Sequence, residues 1–117
     1  PDDEEEIVSL YLQIKKEYLV YTSTNKLNTQ TYEFVAVARD GSYRCFPQVK
    51  TGGESLNGNK YKHLATNGNK VYLFAVSQNY NNINGENIIG LDKKELLAFV
   101  YSHVNLMPER IRLWINE

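Results

Sequence analysis

Tyr32-Glu33-Phe34-Val35-Ala36-Val37, followed after a turn by Gln48-Val49-Lys50, is the pair of segments whose reading decides the fold. Residues 32–38 form a nearly continuous apolar run, as expected of a strand covered on both faces, and the run holds one carboxylate, Glu33. On an extended strand side chains alternate, so Val49 points one way as an apolar anchor while Gln48 and Lys50 point together the other way. Between the two segments Asp40-Gly41 is a hairpin signal, because Gly tolerates positive φ, and Asp40 reads as a turn residue rather than a ligand. The returning strand, residues 43–50, sets Tyr43, Cys45 and Val49 on one face and Arg44, Phe46, Gln48 and Lys50 on the other. Pro47 cannot donate a ladder hydrogen bond and therefore marks a bulge or an unpaired side of this strand.

An acid, an amide and an amine on neighbouring strands suit metal-assisted phosphodiester cleavage. Mg²⁺ takes oxygen ligands and keeps several waters, so one carboxylate, one amide oxygen and one backbone carbonyl suffice to hold it. A lysine beside the ion orients the attacking water or neutralises charge on the phosphate. Thr31-Tyr32-Glu33-Phe34-Val35 followed by Phe46-Pro47-Gln48-Val49-Lys50-Thr51-Gly52 resembles the PD-(D/E)XK nuclease superfamily, in its Q-x-K restriction-endonuclease-like (Mrr-like) branch. The resemblance implies an α/β fold, a restriction-endonuclease-like αβββαβ core with a central mixed sheet flanked by helices, plus C-terminal helices. It also implies a metal-dependent DNA endonuclease of prokaryotic restriction or phage defence that uses Mg²⁺ or Mn²⁺. Carried over residue by residue, it assigns metal binding to Glu33 and Gln48, a supporting carbonyl to Val49 and the catalytic lysine role to Lys50. Glu5 or Glu6 falls where the family often places a helix-borne acid; Glu6 is taken as the candidate, against the ordinary reading of a solvated helix start. Two departures stand out: the first acid is Glu rather than Asp, and Gln48 removes a negative charge from the metal site.

Outward from this core, residues 3–17 read as a helix, with acids in the first turn and Ile7, Leu10, Tyr11, Ile14 and Tyr18 at helical spacing. Residues 19–22 have strand character and 23–30 read as a loop. Thr51-Gly52-Gly53 ends the returning strand. Residues 54–65 read as a short helix interrupted by Asn57-Gly58-Asn59. Its second half, Lys60, Tyr61, Lys62 and His63, interleaves cations with an aromatic as a nucleic-acid surface does; the ordinary alternative is a solvated helix with Tyr61 or Leu64 buried. Residues 71–77 read as a central strand, 78–87 as an Asn-rich surface loop and 87–89 as a short edge strand. Asp92 caps a helix whose buried side is Leu96, Leu97, Phe99, Val100 and Val104, with Glu95 completing a capping box. Pro108 opens a last helix over 109–115, with Ile111, Trp114 and Ile115 as its stripe.

The whole chain, 117 residues with 42% apolar content, is the size of one domain, residues 1–117. A lone Cys45 excludes an internal disulfide and a zinc cluster of cysteines, which suits a cytoplasmic location. No apolar run reaches membrane-spanning length, so no membrane partner is expected. The first residue is Pro1 rather than Met, and the domain is expected to be excised from a larger protein with further domains. Thirteen basic residues stand against 14 acidic ones, but Asp3, Glu4, Glu5 and Glu6 account for four acids and leave the remainder mildly basic. Three functions follow from the pattern: a DNA endonuclease, paired as a homodimer if it cuts both strands together; a catalytically inactive nucleic-acid-binding or protein-interaction module with the same fold; or a structural domain in which Glu33 and Lys50 form a buried ion pair.

Overall fold

The first helix forms where acids crowd an N-terminal turn, and it buries one side. A computed structural model describes residues 3–22, 34–109 and 111–112. Helix α1 spans Asp3–Ile14 and buries Ile7, Val8, Tyr11 and Leu12. It stops before the expected residue 17. Glu17 adopts the left-handed conformation (φ 62°), and the Tyr18 N–H turns back to the Leu12 carbonyl at 3.0 Å, which swings the chain into the first strand.

The strands of the main sheet are β1 (Leu19–Thr22), β2 (Phe34–Val37), β3 (Arg44–Lys50), β5 (Lys70–Ala75) and β7 (Ile88–Gly90), in the spatial order β1-β2-β3-β5-β7. β1 with β2 and β2 with β3 are antiparallel, whereas β3 with β5 and β5 with β7 are parallel, so the sheet is mixed. The β2–β3 turn is built as its residues dictate. Gly41 has φ 75°, and the Ser42 N–H donates to the Asp40 carboxylate at 2.9 Å; the Ser42 side chain first, and this N–H second, hold that carboxyl below its ordinary range. Asp40 is thereby committed to the turn.

Parallel pairing of β3 with β5 requires a crossover, and residues 54–65 supply it in an unexpected form. In place of a helix there is a two-residue strand, β4 (Leu56–Asn57), followed by a 3₁₀ helix over Gly58–Leu64. Asn57 caps this helix by accepting from the Asn59 N–H. Gly58 is buried, and a Cβ there would collide with the Asn82 carbonyl, so the tight entry needs a glycine. The expected loop over 78–87 is likewise structured. It contains β6 (Tyr80–Asn81), parallel to β4 in a second, two-stranded sheet, and the Asn84 side-chain oxygen accepts from the N–H groups of Glu86, Asn87 and Ile88.

Helix α2 (Lys93–Ser102) is capped by Asp92, which accepts from the Lys94 N–H. Glu95 does not close the expected capping box; its carboxylate accepts from the Tyr11 hydroxyl at 3.1 Å and ties α2 to α1. After a 3₁₀ turn over Val104–Leu106, Ile111 is fully buried and Pro108 accepts from the N–H groups of Ile111 and Arg112. The expected apolar positions Trp114 and Ile115 lie outside the described residues.

Two cores result, one on each face of the sheet. The larger joins α1 and α2 to Tyr18, Phe34, Ala36, Cys45, Tyr72 and Phe74. The smaller packs Leu56, Val71, Leu73, Ala75 and Ile88 beneath the 3₁₀ helix, with Phe46, Tyr61 and Leu64 at its margin. Among the described residues no helix is long and apolar enough to cross a membrane.

Candidate functional site

Strand β3 distributes its side chains as the alternation requires. Tyr43, Cys45 and Val49 join the core beneath the helices, whereas Phe46 packs on the opposite core. Gln48 and Lys50 share Phe46's parity and therefore its face. Gln48 is half-buried and Lys50 is exposed at the end of the strand. A sealed ion pair at Lys50 is excluded by that exposure.

The Lys50 carbonyl accepts from the Val76 N–H at 3.0 Å, so the even positions of β3 direct their backbone groups toward β5. The odd positions face β2. Pro47, opposite Tyr72 of β5, accordingly turns its missing N–H toward the β2 side, where the recorded pairs are Ala36 with Cys45 and Val37 with Arg44. The proline is accommodated without interrupting the parallel ladder. Lys50 and its partner Ala75 mark the carboxyl ends of two parallel strands, the edge where open α/β sheets place their ligands.

The remaining candidates are distributed around this edge. Val49 turns its side chain into the helix-covered core, leaving only its backbone to serve a ligand. Glu6 is half-buried on α1, in the layer across the sheet from Gln48 and Lys50. Glu33 lies outside the described residues. On the 3₁₀ helix Lys60, Lys62 and His63 are exposed, while Tyr61 packs against the smaller core and burial pushes its hydroxyl pKa up. The cations of that segment face outward and its aromatic faces largely inward.

The oxygen donors proposed from the sequence are chemically suited to a hard divalent ion, but the described residues supply only the Gln48 amide and the Val49 carbonyl. Among the described residues no three His, Cys, Asp or Glu side chains are grouped for metal binding.

No protein-family model, curated protein or solved structure matches the chain.

Two polar clusters escaped sequence reasoning. The Tyr18 hydroxyl lies 2.9 Å from that of Tyr72 and 3.2 Å from that of Tyr43, a buried triad beside Cys45. Burial raises the pKa of Tyr18, Tyr72 and Cys45, keeping all three neutral at ordinary pH. At the end of β5, Gln78 (φ 61°) donates to the Ala75 and Leu91 carbonyls and accepts from the Lys93 N–H, while the Tyr80 hydroxyl also reaches Leu91. These bonds lock the ends of β5, β7 and α2 together. The only local signal was the unusual Tyr content; the partners are far apart in sequence.

A cavity of about 650 Å³ opens on the helix-covered face, lined by Tyr11, Lys16, Lys70, Tyr72, Glu86 and Glu95 among others. Neither Gln48 nor Lys50 borders it. Within it the Tyr11 hydroxyl donates to Glu95 and the Lys70 amine to the Glu86 carbonyl at 3.4 Å.

Proposed function

We propose that this chain is a Mg²⁺- or Mn²⁺-dependent DNA endonuclease domain with a restriction-endonuclease-like core, cytoplasmic and serving prokaryotic restriction or phage defence. The observation that carries the reading is the joint projection of Gln48 and Lys50 from the carboxyl end of β3. The strand order supports it, since a helix, an antiparallel β1-β2-β3 meander and a crossover to parallel β5 follow the order of an αβββαβ core. Here the crossover helix is of the 3₁₀ type.

In this reading Glu33, the Gln48 amide oxygen and the Val49 carbonyl would hold the divalent ion, which would supply positive charge at the phosphate and acidify water. Ala36 pairs with Cys45 and Val37 with Arg44, so each step back along β2 is a step forward along β3. The reading requires that progression to bring position 33 opposite position 48. Lys50, exposed at the strand end, aims its ammonium at the water or at the phosphate oxygens. Lys60, Lys62 and His63 hold the flanking backbone, and Glu6 is a peripheral acid.

The test is nicking of supercoiled plasmid DNA with and without Mg²⁺ or Mn²⁺. Lys50→Ala and Glu33→Ala should each lower the rate by roughly 10²–10³-fold, the scale of losing a group that stabilises transition-state charge, with unchanged circular dichroism. Metal-dependent nicking that survives both substitutions would refute the assignment. Gln48 in place of an acid favours a second reading, an inactive nucleic-acid-binding or protein-interaction module; calorimetry showing no heat with millimolar Mg²⁺ or Mn²⁺ would select it.

A further inference from the structure

Among the described residues, the face of the sheet that carries Gln48 and Lys50 is covered over only half its width. Strand β4 and the 3₁₀ helix shield β5 and β7, with Phe46 at the boundary. Across β1 and β2 the described residues leave the same face open. Val20 packs into the helix-covered core, so its neighbours Leu19 and Tyr21 point the other way, and they are 42% and 58% exposed. Val35 and Val37, half-buried, belong to neither core.

The registers arrange these groups in rows. Leu19 lies beside Val37 and Val37 beside Arg44, while Tyr21 lies beside Val35. Carried one step further, the same register sets Val35 beside Phe46. Down β3 the open side then reads Arg44, Phe46, Gln48 and Lys50, with exposed cations at its two ends about 20 Å apart. No carboxylate occurs in the described parts of β1, β2 or β3; in sequence Glu17 lies two residues before β1 and Glu33 directly before β2.

An exposed aromatic ring on an apolar sheet face, bracketed by cations, is suited to unstacked bases and their phosphates. Duplex DNA hides its base faces within the stack and offers this surface nothing for the ring to meet. A second copy packed on it by two-fold symmetry would bring Arg44 and Lys50 toward like charges. We propose that the open half-face, Leu19, Tyr21, Val35, Val37, Arg44 and Lys50, is a platform for single-stranded nucleic acid leading to the β3 edge. The proposal deepens the nuclease reading by naming the substrate's strandedness, and it rests on that reading for what happens at Lys50.

Binding is measured by fluorescence anisotropy with a labelled oligothymidylate and a duplex of equal length, in EDTA so that cleavage plays no part. The single strand should bind more tightly than the duplex. Tyr21→Ala should weaken it by at least about five-fold, and Tyr21→Phe, which keeps the ring, should retain affinity. Arg44→Ala should reduce the salt slope by about 0.7. Tyr101→Ala, a control on the helical side, should change nothing. Equal or tighter duplex binding, or an unchanged single-strand affinity in Tyr21→Ala, would overturn the platform. Self-association that Tyr21→Ala abolishes would overturn it too, by making the face a contact between copies. Single-strand binding in EDTA, without cleavage of the same oligothymidylate when Mg²⁺ or Mn²⁺ is added, would sustain the platform and remove the nuclease reading instead.

Discussion

The two faces of the same five-stranded sheet are finished differently. Beneath the helices, the face is closed by α1 and α2 and stitched by hydroxyl bonds among Tyr18, Tyr43 and Tyr72 and between Tyr11 and Glu95. Among the described residues the other is closed only over β5 and β7 and is left open across β1, β2 and the end of β3. One strand, β3, serves both, giving Cys45 and Val49 to the closed core and Gln48 and Lys50 to the open side. The contrast separates the residues that hold the fold from those free to meet a ligand. Exposure without a stabilising role leaves Lys50 and Tyr21 available for binding.

The sharpest way to break this contrast is a cavity in the closed face. Leu12 is fully buried, so Leu12→Ala should cost about 2–5 kcal/mol of stability, read as a lower urea midpoint. A cost near zero would show the helices to be loosely docked.

A smaller effect is expected in alkali. Burial raises the pKa of Tyr11, Tyr18 and Tyr72 above the ordinary 10.0. The folded chain therefore keeps protons that the unfolded chain releases above about pH 10. Stability should be insensitive to these groups below that value and fall as pH rises beyond it. Tyr18→Phe should make the decline shallower, since it removes one such proton; urea titrations at neutral and alkaline pH would show it. A decline beginning well below the tyrosine range would point to other groups.

The smallest expected effect lies on the open side. Lys50→Ala should shift stability by no more than about 0.5 kcal/mol, as for an exposed residue away from cores and caps. A large loss would mean that Lys50 holds the strand end, and its functional assignment would weaken accordingly.

The chain's local chemistry was enough to specify the alternation of β3, the Asp40-Gly41 turn, the Asp92 cap and the amphipathic first helix, because each depends on residues a few positions apart. The fold class, helices on a mixed sheet, was an expectation that the resemblance implied rather than one that local chemistry specified, and the five-stranded mixed sheet agrees with it. The 3₁₀ form of residues 58–64, the pairing of β4 with β6, and the Glu95 bond to Tyr11 were not, since they join segments distant in sequence. The candidate site was legible in part. Sequence alternation put Gln48 and Lys50 on one side, but only the packing showed Lys50 exposed, Glu6 in the opposite layer and Tyr61 turned toward a core. A strand's period of two says which side chains travel together. Which side remains in contact with water is decided by what the rest of the chain lays over it.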